Sequence, residues 1–227
     1  MNTTPVSAAP FNRLGAFLRS RVGSAVQVAI FIAGIFVLQG RSPGLPIPLA
    51  MLAALLIWLS GDSWDSLGLG QPPIGGGRWA LEGVVIGLLC AMVSSGLLTP
   101  LLYSLFQTEA APPARQGDLS YLIQNIVAFG IIHALAKGLA YRSFLLNRLE
   151  ALFGPTRVGL ALTVAGASIL FGLGNLRQDQ ISLIIATLVG VVFNLVFYWS
   201  KRNVWSSILA HGVYNTTLFA LVFLGRL

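Results

Sequence analysis

Between residues 23 and 225 one pattern recurs: an apolar run about as long as a bilayer is thick, then a short break rich in Gly, Pro and charge. Crossing a hydrocarbon core takes roughly 20 residues of helix. Seven runs are candidates: about 23–39, 45–60, 79–106, a run starting near Leu119, 156–175, 181–199 and 204–225. The first two are short. The third carries Pro100, which predicts a kink there. The pattern predicts an all-α fold, a polytopic membrane helical bundle of about seven transmembrane helices. Composition agrees: 56% of residues are hydrophobic, 9% are charged and the mean hydropathy is +0.80. A soluble globular chain carries about 25% charged residues.

The length of 227 residues fits a single transmembrane domain over 23–227. Residues 1–22 form a basic segment. Its "FNRLGAFLRSRV" sets apolar residues at helical spacing between arginines, which reads as an interfacial amphipathic helix or, equally, as a basic tail. The run behind Arg13, Arg19 and Arg21 has no small-residue cleavage site after it, so it reads as a span. Residues 61–78 and 107–118 are loops, broken by Gly and Pro. No internal repeat is present. The single cysteine, Cys90, sits in an apolar run and reads as a buried small residue.

The net charge of +7 does not point to nucleic acid in so apolar a chain. It orients the protein, because cytoplasmic loops collect Lys and Arg. With the N-terminus inside, inner segments hold Arg13, Arg19, Arg21, Arg78, Arg142, Arg148, Arg157, Lys201 and Arg202, and outer segments hold Arg41, Arg115, Arg177 and Arg226. The expectation is a multi-pass cell-membrane protein with its N-terminus cytoplasmic and its C-terminus outside.

Polar groups at membrane depth are costly and face the bundle interior. Three helix faces carry them, each built on i, i+4 spacing. His211 and Asn215, in "LAHGVYNTT", can both donate into one pocket, which suits an oxyanion or an interhelical clamp. Phe171 and Asn175, in "LFGLGNLRQ", form the second; Asn175 donates or accepts but is no general base, and it suits a cap at the end of the span equally well. The third face joins His133 with Lys137 and Gly138 with Arg142. No carboxylate stands near Lys137 in the neighbouring spans; only Glu82 comes close to membrane depth. If the fourth span is unbroken, Lys137 lies about 26 Å before the Gly154–Pro155 turn and Asn175 about 30 Å after it, at similar height.

With these residues set out, the chain resembles the CPBP family, the CAAX prenyl endopeptidases and bacteriocin-processing proteins, also called the ABI family. The likeness covers residues 125–220, with an echo in "SWDSLGL" at 63–69. The family has a four-helix core, here about 120–225, and three motifs: a glutamate pair followed by three residues and then arginine, then Phe-x-x-x-His, then His-x-x-x-Asn. "YRSFLLNRLEALFGPTRVGL", "FGLGN" and "NVWSSILAHGVYN" carry the likeness here.

The resemblance implies a membrane-embedded endopeptidase whose first glutamate and second-motif histidine activate water, while the third motif stabilises the oxyanion. His211 and Asn215 match the oxyanion side, and Arg142 the motif arginine. The glutamate pair is replaced by Lys137 and Gly138, and the histidine by Asn175. Water activation needs a proton acceptor near neutral pH; protonated lysine and asparagine are not that. The expectation is a catalytically degenerate member that binds or regulates through a cationic pocket of Lys137, Gly138, Arg142, Phe171 and Asn175. The alternative is an active endopeptidase processing prenylated or leader peptides with a relocated base, His133 or Glu82, or a hydrolase or transferase with Lys137 as base. The expected partners are membrane lipid and a peptide or acidic group of a membrane protein. No cofactor, metal or nucleic acid is expected.

Overall fold

The computed structural model describes residues 9–38, 46–70, 77–108, 115–175 and 179–227. Arg41, Glu109 and Arg177 lie outside the described residues.

Eight helices follow one another among the described residues. They are α1 (Ala9–Arg19), α2 (Arg21–Leu38), α3 (Pro46–Ser60), α4 (Arg78–Leu105), α5 (Leu119–Phe153), α6 (Arg157–Leu173), α7 (Gln180–Trp199) and α8 (Val204–Phe223). Five of them, α2, α4, α5, α7 and α8, are long and apolar enough to cross a membrane; α3 and α6 are apolar but shorter, at 15 and 17 residues. The chain is therefore a polytopic helical bundle. Its seven apolar helices start within two residues of the expected runs, and the six whose ends were expected also stop within two. Its outer surface is apolar: Met51, Met92 and Val158 are 69%, 65% and 69% exposed. Water would not tolerate that coat, and lipid does.

Local sequence sets the ends. Asp118, Thr156, Asp179 and Asn203 each cap the following helix by accepting a backbone N–H, from Tyr121, Gly159, Ser182 and Trp205. The expected hairpin turn is present: Gly154 takes a left-handed φ of +81° ahead of Pro155 and reverses α5 into α6. The basic N-terminal segment is helical from Ala9. It ends against α3, where Arg19 Nη1 donates to the Ser60 carbonyl.

Small residues let helices approach. A Cβ at Gly83 or Gly87 of α4 would stand 2.8 and 2.5 Å from the carbonyls of Ser206 and Ala210 on α8. This is the close packing that associates helices in lipid, where no hydrophobic force acts between them. Gly212 of α8 crosses Gly130 of α5 in the same way, at 2.5 Å. The core sits where α2 and α3 meet α5: Phe31, Ile35, Leu49 and Ile57 pack on Tyr141, Phe144, Leu145 and Leu146.

Two helices contain π-helical turns: Ser94–Leu98 in α4, and Ile126–His133 and Gly138–Leu145 in α5. The first has a local cause. Pro100 lacks the N–H an α-turn would donate, so the expected distortion appears as a widened turn just ahead of it. The two in α5 have no proline, and they bracket the four residues Ala134–Lys137.

Candidate functional site

A cavity of about 930 Å³ opens between α3, α4, α5, α6, α7 and α8, and its wall includes His133, Lys137, Phe171, Asn175, His211 and Asn215. Residues far apart in sequence thus converge on one space. Gly138 and Arg142 do not line it.

The π turn Gly138–Leu145 brings Lys137 and Arg142 to one aromatic ring. In an α-helix, residues five apart point about 140° away from each other. In a π turn, i and i+5 come into line. Lys137 and Arg142 are five apart, and both meet one ring: Lys137 Nζ is 4.6 Å and Arg142 Cζ 4.9 Å from the centre of Phe171. Gly138 is turned the other way, against α8, where a Cβ would run into Ile208. Of the residues expected at the pocket, Lys137 lines this cavity, while Gly138 and Arg142 lie behind it.

Arg142 is fully buried, and its Nε, Nη1 and Nη2 find no hydrogen-bond partner among the described residues. It lies against two rings, Phe171 at 4.9 Å and Phe193 at 5.4 Å. Each such contact is worth about 2 kcal/mol when desolvated. A buried cation without a counter-ion costs more than that. His211 sits beside the same rings, 5.6 Å from Phe171 and 5.3 Å from Phe193, with its Nδ1 buried and unpartnered. Lys137 is half-buried on the cavity wall and makes no hydrogen bond or ion pair among the described residues. His133, one turn before it, stacks edge-on against Phe129 at 4.4 Å.

The two asparagines are already engaged. Asn175 Nδ2 donates to the Phe171 carbonyl at 3.1 Å, closing the end of α6 as a cap. Asn215 Nδ2 donates to the Phe129 carbonyl at 2.8 Å. That carbonyl lies within the π turn Ile126–His133, where the widened ladder displaces an acceptor from its usual donor. Asn215 is therefore an interhelical clamp on α5, and each amide keeps one N–H for the cavity.

The described carboxylates are all elsewhere. Asp62 pairs with Arg148 and Glu150 with Arg202; Asp118 and Asp179 cap helices, and Asp65 lies in the short turn before Gly68. Glu82 pairs with Arg78 at 2.7 Å at the start of α4 and does not line the cavity, which removes it as a base there. Among the described residues the cavity wall carries Lys137 and no Asp or Glu side chain.

Sequence reasoning passed over a second polar centre, at the bundle end that holds the N-terminal helix. Arg148 donates to Gln27 Oε1 at 3.1 Å, to Ser60 Oγ at 3.2 Å and to Asp62. Arg202 donates to both carboxylate oxygens of Glu150 at 3.0 and 2.9 Å and to Asn147. Asn147, Arg148 and Glu150 of the "LLNRLE" stretch are therefore structural ties.

Residues 119–217 match the family described as type II CAAX prenyl endopeptidase, Rce1-like. No curated protein and no solved structure matches the chain. The matched stretch takes in α5, α6, α7 and most of α8, and with them all six cavity residues named above.

Proposed function

We infer that this integral membrane protein, whose residues 119–217 match the Rce1-like family of type II CAAX prenyl endopeptidases, works by binding an anionic group and not by hydrolysing peptides. One observation carries the reading. The cavity presents Lys137, unpaired among the described residues, where the resemblance puts a proton-accepting glutamate. Asn175 stands where the resemblance puts a histidine, and its amide caps its own helix. Neither residue draws a proton from water near neutral pH. The protein then acts as a binding or regulatory component of the cell membrane, with the N-terminus cytoplasmic, toward lipid or an acidic group of a peptide or membrane partner.

The test is turnover. Purified protein in micelles is incubated with prenylated and leader peptides, and cleavage is followed by mass spectrometry. The expected result is none above a protein-free blank, and none gained by Lys137→Ala. Cleavage that disappears in both His133→Ala and His211→Ala would establish the second reading, an endopeptidase with a relocated base. His133 keeps that reading open because it lines the same cavity one turn from Lys137.

A further inference from the structure

Arg142 holds a guanidinium with no partner for any of its nitrogens among the described residues, and it is fully buried. What stands between it and the cavity is aromatic. The Phe171 ring lines the cavity, lies 4.9 Å from Arg142 Cζ, and lies 4.6 Å from the Nζ of Lys137, which does face the cavity. We propose that Phe171 is a shutter over a two-cation site for a phosphate monoester, and that the ring swings aside so that Arg142 and Lys137 hold the dianion together. This rests on the cationic-pocket reading and names its ligand chemistry.

Charge count favours phosphate over carboxylate. Two cations meet at Phe171 with no Asp or Glu side chain on the described cavity wall, and a dianion balances both where a carboxylate balances one. Geometry favours it as well. The guanidinium fork takes two phosphate oxygens at once, and an ammonium serves as a point charge on a third. The cavity has room for more than a head group. Away from Lys137 its wall turns apolar at Leu218, Phe219 and Val222, as the first carbons of a lipid chain require. A lipid phosphomonoester and free inorganic phosphate share the recognised group, and the experiment separates them.

Thermal unfolding of the full chain in micelles is measured with phosphatidic acid, diacylglycerol of the same chains, oleate and inorganic phosphate. Phosphatidic acid is expected to raise Tm by about 5 °C at saturation, with no shift from diacylglycerol or oleate. An equal shift from inorganic phosphate assigns the head group alone as the ligand; no shift from it assigns the lipid. Arg142→Met removes an unpaired buried charge, so its ligand-free Tm is expected to equal or exceed the parent's while the phosphatidic acid shift vanishes. A purely structural arginine would give the reverse. Arg142→Lys keeps charge without the fork and is expected to bind about tenfold more weakly. Phe171→Ala opens the shutter and is expected to bind more tightly; weaker binding there overturns the shutter. Stabilisation by oleate and not by phosphatidic acid, lost in Lys137→Ala, overturns the phosphate assignment and leaves the cationic pocket standing. No shift from any anion, with Lys137→Ala silent, overturns both.

Discussion

Asn215 shows how one residue type divides between structure and site. Its amide reaches Phe129 across 86 residues of sequence and satisfies a carbonyl within the π turn. Asn215→Ala is expected to destabilise the protein by about 0.6–1.7 kcal/mol, the range for interhelical hydrogen bonds in membranes. Unfolding in mixed micelles measures it, and a neutral result would mean that the Phe129 carbonyl has another donor. Arg148 is a heavier case. It and Asp62 are nearly buried, with side-chain exposures of 6% and 13%. Arg148→Ala strands Asp62 and is expected to cost about 3–5 kcal/mol, most of it recovered in the double change Arg148→Met with Asp62→Leu. If the double change is no better than the single one, the ion pair is not what Arg148 supplies.

Helices were the part of this molecule most legible in the sequence. The bilayer demands a long apolar run for each span, so such runs mark the starts of α2 to α8, and the ends of all but α5, to within two residues, including the short α3 and α6. The Gly154–Pro155 turn and the distortion before Pro100 were legible because Gly and Pro act locally. The π turns of α5 were not. No residue there forbids an α-turn; packing against α8 and α3 selects the wider one. That is why Lys137 and Arg142 were rightly singled out while their shared partner, the Phe171 ring, was assigned only to its own helix. The contact between α4 and α8 tests packing at this scale. Gly87→Leu forces a side chain against the Ala210 carbonyl and is expected to cost about 1–3 kcal/mol by overpacking. Thermal unfolding reads it, and an unchanged Tm would mean that α4 shifts without loss.

At the scale of the whole molecule, the polar ties sort the loops into two ends. Arg19 with Ser60, Arg148 with Asp62 and Trp205 with the Gly70 carbonyl mark one end. The Gly117 N–H donating to the Phe223 carbonyl marks the other. Single cysteines placed at Ser63 and Lys201 in a Cys90→Ser background are expected to react with an impermeant maleimide from one side of sealed vesicles, and one at Gln116 from the opposite side. Labelling of all three from one side would refute seven crossings. Sequence reasoning saw these charges only as loop markers, because their partners lie 41 to 135 residues away and no local pattern announces such distances.

The Arg148 cluster also bears on how the protein is made. The groups that receive its guanidinium, Gln27, Ser60 and Asp62, lie 121, 88 and 86 residues upstream. A ribosome therefore delivers the receivers first, on the α2–α3 hairpin, and the charge last, near the end of a 35-residue helix. The N-terminal hairpin is then an assembly dock: its acceptors for Arg148 are already in the membrane when α5 arrives, so that guanidinium need not face lipid alone.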